Sequence, residues 1–301
     1  VQPKAKVTIG FCVKNCEATV KEAVNSIVCQ DYPHELMEVI VVDGNSTDKT
    51  VQIIKDTLCC SDIKTRIFFE NKGLGFARQL VVDNACGDYI VWVDGDVVLA
   101  KDHVSKQVEF MEKNPKVGIA GGKFQNYPRE NWVALLESIE WMVLDRIYGG
   151  NASVRPVLHR AGGSVYRVKA IKQAGGFDTC IKGALEDLDA EYRIGAVSWL
   201  TYFVTDAVFH DRRKHTWKDV WNENFWYGYG GHYFIHKHGR IMQNFPVFEG
   251  LRRTALAYKS THRKIVFLFP FQYFFKKIAW FLGFLKAHLD GYGHYISNEG
   301  A

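Results

Sequence analysis

The stretch YIVWVDGDVVLA, residues 89 to 100, carries an apolar run into Asp94 and Asp96, two carboxylates one glycine apart. Like charges this close are unfavourable unless a cation sits between them or each is solvated and hydrogen-bonded. A divalent ion relieves the repulsion. A small set of oxygen ligands suits Mg²⁺ or Mn²⁺, which keep several waters and bind phosphate oxygens of a substrate at the same time. The pair therefore points to a diphosphate ligand. The same residues also suit a polar strand-end turn, with Gly95 making the bend and both aspartates capping backbone N–H groups.

Two further segments carry polar groups at useful places. VVDGNSTDKT puts Asp43 at an earlier strand end before a Gly-Asn-Ser turn. That arrangement suits reception of a base or ribose hydroxyl, and equally an ordinary turn with an N-cap. NKGLGFARQ is a glycine-containing turn ahead of a helix, but it lacks the Walker spacing and the dinucleotide fingerprint. A kinase or dehydrogenase reading gains nothing from it. Lys72 and Arg78 are candidates for phosphate contact, and each taken singly also suits a solvated basic face.

These residues need a scaffold, and the first half of the chain alternates strand and helix signals, the pattern of a parallel sheet covered on both faces. KVTIGFCV (6 to 13), MEVIVVD (37 to 43), TRIFF (65 to 69) and YIVWVD (89 to 94) read as strands. Between them lie a helix with Val20, Ala23, Val24, Ile27 and Val28 on one stripe, a second with Val51, Ile54 and Leu58 inward, and a third through Ala77, Leu80, Val81 and Ala85. Ser46 or Thr47 is the expected N-cap of the second. In such sheets ligands sit at the carboxyl ends of strands, where Asp43, Asp94 and Asp96 fall. Further on, VGIAGG (117 to 122), a helix near 131 to 147, AGGSVYRV (161 to 168), a helix from about Leu185 and strand-like WLTYFVTDAVFH (199 to 210) follow.

In their order, VKNCEATV, VVDGNSTDKT, NKGLGFARQ, GDYIVWVDGDV and GALEDLDAEYRI resemble the family 2 glycosyltransferases of the GT-A fold, over roughly residues 6 to 215. The resemblance implies a nucleoside diphosphate sugar donor bound by Asn15, Glu17, Asp43, Lys72, Gly73, Arg78, Asp94, Gly95 and Asp96. Asp43, Ser46 and Asp48 match the family's D-x-S-x-D-like segment, with Asp43 expected at the base, although Gly44 stands where a second acid is common. Cys12 and Lys14 replace the usual Pro and Tyr. Asp94 and Asp96 match the D-x-D that positions the ribose and the metal-bound diphosphate, and His210 is expected to complete the shell of a Mn²⁺ or Mg²⁺ ion. Arg212 or Arg213 is placed to face the diphosphate. Gly162, Gly163 and Ser164, with Glu186, match the segment lining the sugar and acceptor pocket.

Asp187 resembles the family's general base: a sugar hydroxyl must lose a proton as it attacks the anomeric carbon, and a carboxylate within hydrogen-bond reach can accept it. A solvated acid favoured by the helix dipole is the alternative at that position. Glu186 and Asp189 are fallback candidates, and Arg193 an ion-pair partner one turn on. The implied reaction is inverting transfer to a hydroxyl or phosphate acceptor, a glycan or a lipid-linked species. The rivals are a sugar-nucleotide-binding protein without turnover and a nucleotidyltransferase, but the latter calls for a glycine- and basic-rich loop after the first strand that FCVKNCEA does not supply.

Composition is that of a globular chain able to bury a substantial core: 301 residues, 47% hydrophobic and 24% charged. A net charge of +5 with scattered basic residues gives little support to nucleic acid binding. The seven cysteines lack disulfide-framework spacing and read as reduced core residues. No charged-then-apolar leader precedes Val7, and the expected location is the cytoplasm, on the cytoplasmic face of a membrane. The expected organisation is a catalytic domain over 1 to 215, with donor binding over about 1 to 120 and the acceptor side over about 121 to 215. An aromatic-rich helical extension over 216 to 301 follows. Within it, 252 to 290 reads as interfacial amphipathic helices with Trp280 and phenylalanines inserted and Lys259, Arg263, Lys264, Lys276 and Lys277 toward headgroups. A helical layer packed on protein has the same amphipathicity.

Overall fold

Two apolar segments, Val7–Val13 (β1) and Met37–Asp43 (β2), are buried along their whole length, as strands covered on both faces must be. The computed structural model describes residues 5–126, 131–148, 152–153, 161–181, 183–211, 216–239 and 249–294. The expected strand–helix alternation is present: α1 (Val20–Val28), α2 (Thr50–Leu58), β3 (Lys64–Phe69), α3 (Leu74–Asn84) and β4 (Tyr89–Asp94) interleave with β1 and β2. The chain continues through β5 (Val97–Leu99), α4 (His103–Lys113), β6 (Val117–Ala120), β7 (Lys123–Asn126), α5 (Trp132–Tyr148), β8 (Ala152–Ser153), β9 (Val165–Arg167), α6 (Val168–Gln173), α7 (Glu186–Ala196), β10 (Leu200–Tyr202) and β11 (Val208–Asp211). Helices α8 (Trp217–His238), α9 (Glu249–Thr261) and α10 (Phe269–Leu289) close it.

The main sheet has the order β3-β2-β1-β4-β9-β6-β10-β8, and a small second sheet the order β5-β11-β7. Strands β1 to β4 are parallel neighbours, and β9 runs antiparallel between β4 and β6. The period-two alternation of β-strands splits the sheet residues between two cores. Ile9, Val39 and Val91 face one, with α1 and α2; Ile40, Ile90 and Trp92 face the other, with α3 and α6. Gly10 leaves room for Trp92, whose ring a side chain there would meet at 2.6 Å. WLTYFVTDAVFH is two strands in different sheets. The cysteines are unbridged as expected, but only Cys12 is buried; Cys29, Cys59, Cys60, Cys86 and Cys180 are exposed.

The chain divides into two units, one of residues 1–127, 148–182 and 186–212, the other of 128–147, 183–185 and 213–301. The first holds both sheets. The second is helical, and α5, expected with the first 215 residues, belongs to it. Leu136, Ile139 and Val143 of α5 pack with Ala257, Val266 and Phe269. Gly228 lies against the backbone of Trp280 and Gly283 against that of Phe225, so α8 and α10 touch main chain to main chain, and a side chain at either glycine would overlap it.

The expectation for Lys276 needs correction. Its ammonium lies 2.7 Å from Glu137 and 2.6 Å from Glu140 of α5. A buried cation is tolerable only when so paired, and this lysine therefore faces protein. Lys277 lies over the Tyr273 ring at 5.5 Å. Lys259, Arg263 and Lys264 are exposed, whereas Trp280 is half-buried and stacks on Phe284. Residues Lys264–Leu289 form one stretch long and apolar enough to cross a membrane by length and composition.

Candidate active site

The register of the parallel strands lines up the acids. Val13 pairs with Asp43 and Cys12 with Asp94, so the two acidic strand ends flank the end of β1 on the carboxyl edge of the sheet. Ser46 donates its N–H to Asp43 Oδ2 at 2.8 Å and its hydroxyl to Oδ1 at 2.6 Å. Asp43 is 1% exposed. Asp43 thus closes the turn that follows β2. Because Ser46 is drawn to Asp43, and the Thr47 N–H to Asn15 Oδ1, α2 begins later than expected, at Thr50, with Lys49 rather than Ser46 or Thr47 at the N-cap. Val51 is only half-buried.

Asn15 and Glu17 frame this edge. Asn15 Oδ1 accepts the Thr47 N–H at 2.8 Å and Glu17 Oε2 the Lys49 N–H at 3.0 Å. In return the N–H groups of Asn15 and Glu17 reach Ser46 Oγ at 2.9 Å and Asp48 Oδ2 at 3.1 Å. Both side chains therefore lace the loop after β1 to the loop before α2. Gly95 sits where a side chain would overlap Cys16, and its carbonyl accepts the Thr19 hydroxyl at 2.7 Å.

Arg78 does not sit on a solvated basic face. It is 3% exposed; Nε donates to Glu186 Oε1 at 2.9 Å and Nη2 to Asp94 Oδ1 at 3.3 Å. Burial opposes the cation, but Asp94 and Glu186 hold it charged. Its Nη1 is buried with no protein partner among the described residues. One guanidinium thus joins the acid at the end of β4 to the acid that opens α7. Lys72 is exposed, with its ammonium 4.4 Å from the Phe76 ring.

The segment 161 to 164 completes the constellation. Gly162 passes so close to Asp94 that a side chain there would lie 2.7 Å from Oδ2, while the Ala161 N–H donates to Asp187 Oδ2 at 3.3 Å. Gly163 has φ 79° and lies against Phe209, a left-handed conformation that favours glycine. Ser164 is fully buried and its hydroxyl turns back to the Ala161 carbonyl at 2.6 Å, so it fixes the turn. Burial lifts Asp187 above the usual carboxylate range against the pull of Arg78. Burial and the Asp187 charge push Glu186 up to about 7, again against Arg78. Asp189 pairs with Arg193 at 2.6 Å.

Strand β11 runs antiparallel to β5, pairing His210 with Val98 and Asp211 with Val97, the residue after Asp96. Asp94, Asp96 and His210 do not form a close three-ligand cluster; among the described residues such a group, with ligand atoms within 4.8 Å of one another, lies on histidines of the helical unit. The oxygen donors of the Asp-Gly-Asp turn still fit a hard divalent ion. With one Asp94 oxygen on Arg78, phosphate oxygens and water would supply the rest of its shell, the usual mode for Mg²⁺. Arg212 and Arg213 lie outside the described residues.

Two participants escape sequence reasoning. Glu70, just past β3, accepts the Gly73 N–H at 2.8 Å and so shapes the turn before α3; its only signal is an acid after a strand, as at Asp43. Ala161 contributes only a backbone N–H, for which no side-chain signal exists.

Residues 8–174 match the family described as Glycosyl transferase family 2, more than half of the chain, and the chain belongs to that family. It is 24% identical over 227 residues to the poly-beta-1,6-N-acetyl-D-glucosamine synthase of Staphylococcus epidermidis, covering 72% of the chain and 52% of the synthase. It is 22% identical over 302 residues to the probable glycosyltransferase YdaM of Bacillus subtilis, covering 94% of the chain and 65% of YdaM. The chain thus spans about half the length of the synthase. Among solved structures it resembles the mannosyltransferase PcManGT of Pyrobaculum calidifontis in complex with GDP-Man and Mn²⁺, with TM-score 0.58, 18% identity and coverage of 96% of this chain and 76% of that one. It also resembles S. aureus TarS 1-349 in complex with UDP, with TM-score 0.53, 15% identity and coverage of 95% and 92%. At these identities the likeness shows the fold, GT-A with a helical C-terminal extension.

Proposed function

We propose that this chain is an inverting glycosyltransferase that moves a sugar from a nucleoside diphosphate sugar to a hydroxyl or phosphate acceptor, a growing glycan or a lipid-linked species. The observation that carries the reading is the Ala161-Gly162 pair, which touches Asp187 with one residue and Asp94 with the next. A donor-side acid and a half-buried candidate base are thereby held together at the carboxyl edge of the sheet. The GDP-Man and Mn²⁺ bound to PcManGT and the UDP bound to TarS support a nucleotide-linked donor here.

In the proposed single displacement, the acceptor oxygen forms a bond to the anomeric carbon as the bond from that carbon to the donor's phosphate oxygen breaks. Asp187 takes the acceptor proton and the nucleoside diphosphate leaves. Mn²⁺ or Mg²⁺ held by Asp96, with Asp94 and phosphate oxygens of the donor, would offset the charge developing on the diphosphate. Asn15, Glu17, Asp43, Lys72 and Gly73 form the donor-side frame, and Gly162, Gly163, Ser164 and Glu186 the wall behind the sugar. Backbone approach at Gly162 and Gly163 sets how closely the sugar can lie.

The acceptor is membrane-associated on this reading. Phe267, Phe271, Phe274, Ile278, Phe281 and Leu285 are exposed at spacings of three and four along one stripe, with Lys259, Arg263 and Lys264 exposed near its start. An apolar stripe beside basic residues fits an anionic phospholipid surface, and the cytoplasmic leaflet is the expected one.

The test is calorimetric titration of UDP, GDP and their common sugar conjugates, with Mn²⁺ and with chelator, into wild type, Asp96→Ala and Asp187→Asn. The reading expects metal-dependent binding of one nucleotide, weakened in Asp96→Ala, and donor hydrolysis lost in Asp187→Asn while binding persists. No nucleotide binding with Mn²⁺ present would overturn it. Binding without hydrolysis or transfer in wild type would leave a donor-binding protein.

A further inference from the structure

Four histidines of the helical unit converge: His232 and His236, one turn apart on α8, His288 in the last turn of α10, and His294 just beyond it. His288 Nδ1 lies 3.3 Å from both His232 Nε2 and His294 Nε2. Nitrogens of His232, His236 and His294 that can ligate a metal all fall within 4.8 Å of one another.

Proton counting shows why hydrogen bonding alone does not account for this. The Tyr292 carbonyl, 2.6 Å from His232 Nδ1, can only accept, so that nitrogen carries the ring's proton. In the neutral ring Nε2 then presents a lone pair toward His288 Nδ1. His288 Nδ1 has either one proton or one lone pair, yet faces two nitrogens at equal distance.

The separations suit a metal. Around a tetrahedral ion with metal–nitrogen bonds of about 2.0–2.1 Å, ligand nitrogens stand about 3.3 Å apart. A ligating histidine typically donates its other N–H to a backbone carbonyl, as His232 does to Tyr292. The turn is also built for it: Tyr292 stacks on Tyr229 at 4.9 Å and lies 5.0 Å from Tyr233, while Gly293, φ 93°, passes 3.1 Å (measured from an added Cβ) from the Tyr233 Cα. These contacts bring the Tyr292 carbonyl and His294 onto α8.

We propose that His232, His236 and His294, with His288 as fourth ligand, form a structural site for a first-row transition ion of the Zn²⁺ class, which clips the turn after α10 to the last turns of α8. All-imidazole ligation separates this site from the oxygen-ligand chemistry of the Asp-Gly-Asp turn.

The test uses full-length protein purified without a histidine tag. Zinc content after gel filtration is measured by mass spectrometry, and zinc is titrated against a chelating dye for wild type, His288→Gln, His294→Gln and the double variant. His288 is exposed and His294 half-buried, so these variants should fold, which circular dichroism checks. The proposal expects one zinc per chain and binding at least about tenfold weaker in each variant, with a tetrahedral cobalt spectrum in wild type only. Wild type that holds no more zinc than the folded double variant would overturn it, as would weak binding of several ions that the substitutions leave unchanged.

Discussion

Arg78 Nε donates to Glu186 Oε1 at 2.9 Å across 108 positions of sequence, both side chains almost wholly buried. The same guanidinium reaches Asp94, so α3, β4 and α7 meet on one cation. Removing one partner of a buried pair leaves charge without compensation. Arg78→Met should destabilise the chain by about 3–5 kcal/mol, read by urea denaturation. Arg78→Lys should recover only part, since a point charge cannot replace a fork that serves two carboxylates.

The same guanidinium controls protonation. Glu186 stands at about 7 and Asp187 above its usual range, burial being the first cause for each, while Arg78 pulls both down. A base must be ionised, so turnover should rise with pH through a limb above the ordinary carboxylate range. In Arg78→Lys that limb should move to higher pH. A limb left in place by the substitution would remove Arg78 from the control of these acids.

Gly162 offers a narrower probe of the site. Alanine there would bring a methyl group 2.7 Å from Asp94 Oδ2, displacing the carboxylate by a fraction of an ångström. Misplacement of that order at a reacting centre costs up to about 100-fold. Gly162→Ala should therefore lower donor turnover by about 10–100-fold, measured as donor hydrolysis, with the melting temperature nearly kept.

His103 should mark the acid side of stability. It is fully buried, donates Nδ1–H to the Val208 carbonyl at 2.8 Å, and is held down at about 4 by burial. The unfolded chain, with a histidine near 6.5, binds the extra proton first. This contribution, at most about 3 kcal/mol, is complete above the unfolded value and lost as pH falls toward the folded one. Stability of wild type should decline over that window, and His103→Gln should flatten the decline by about one proton.

The stripe on α10 predicts lipid binding. Sedimentation with vesicles of phosphatidylcholine and phosphatidylglycerol should fall at least about 100-fold in partitioning for the Phe271→Ser/Phe274→Ser/Phe281→Ser variant. Unchanged sedimentation would defeat the membrane reading.

By itself the sequence determined the alternating strands and helices, the parallel sheet, and the acids at strand ends. These rest on short-range periodicity and turn chemistry, which act within one element. What the tertiary structure alone decided was which partner each polar group meets. Asn15 and Glu17 give no sign in the sequence that they lace the loop after β1 to the loop before α2. Arg78 looks solvent-facing until Glu186 arrives from far along the chain, and Lys276 looks lipid-facing until α5 supplies Glu137 and Glu140. No local pattern encodes such pairings. A buried charge is stable only where the fold delivers its complement, and that delivery depends on the packing of elements distant in sequence.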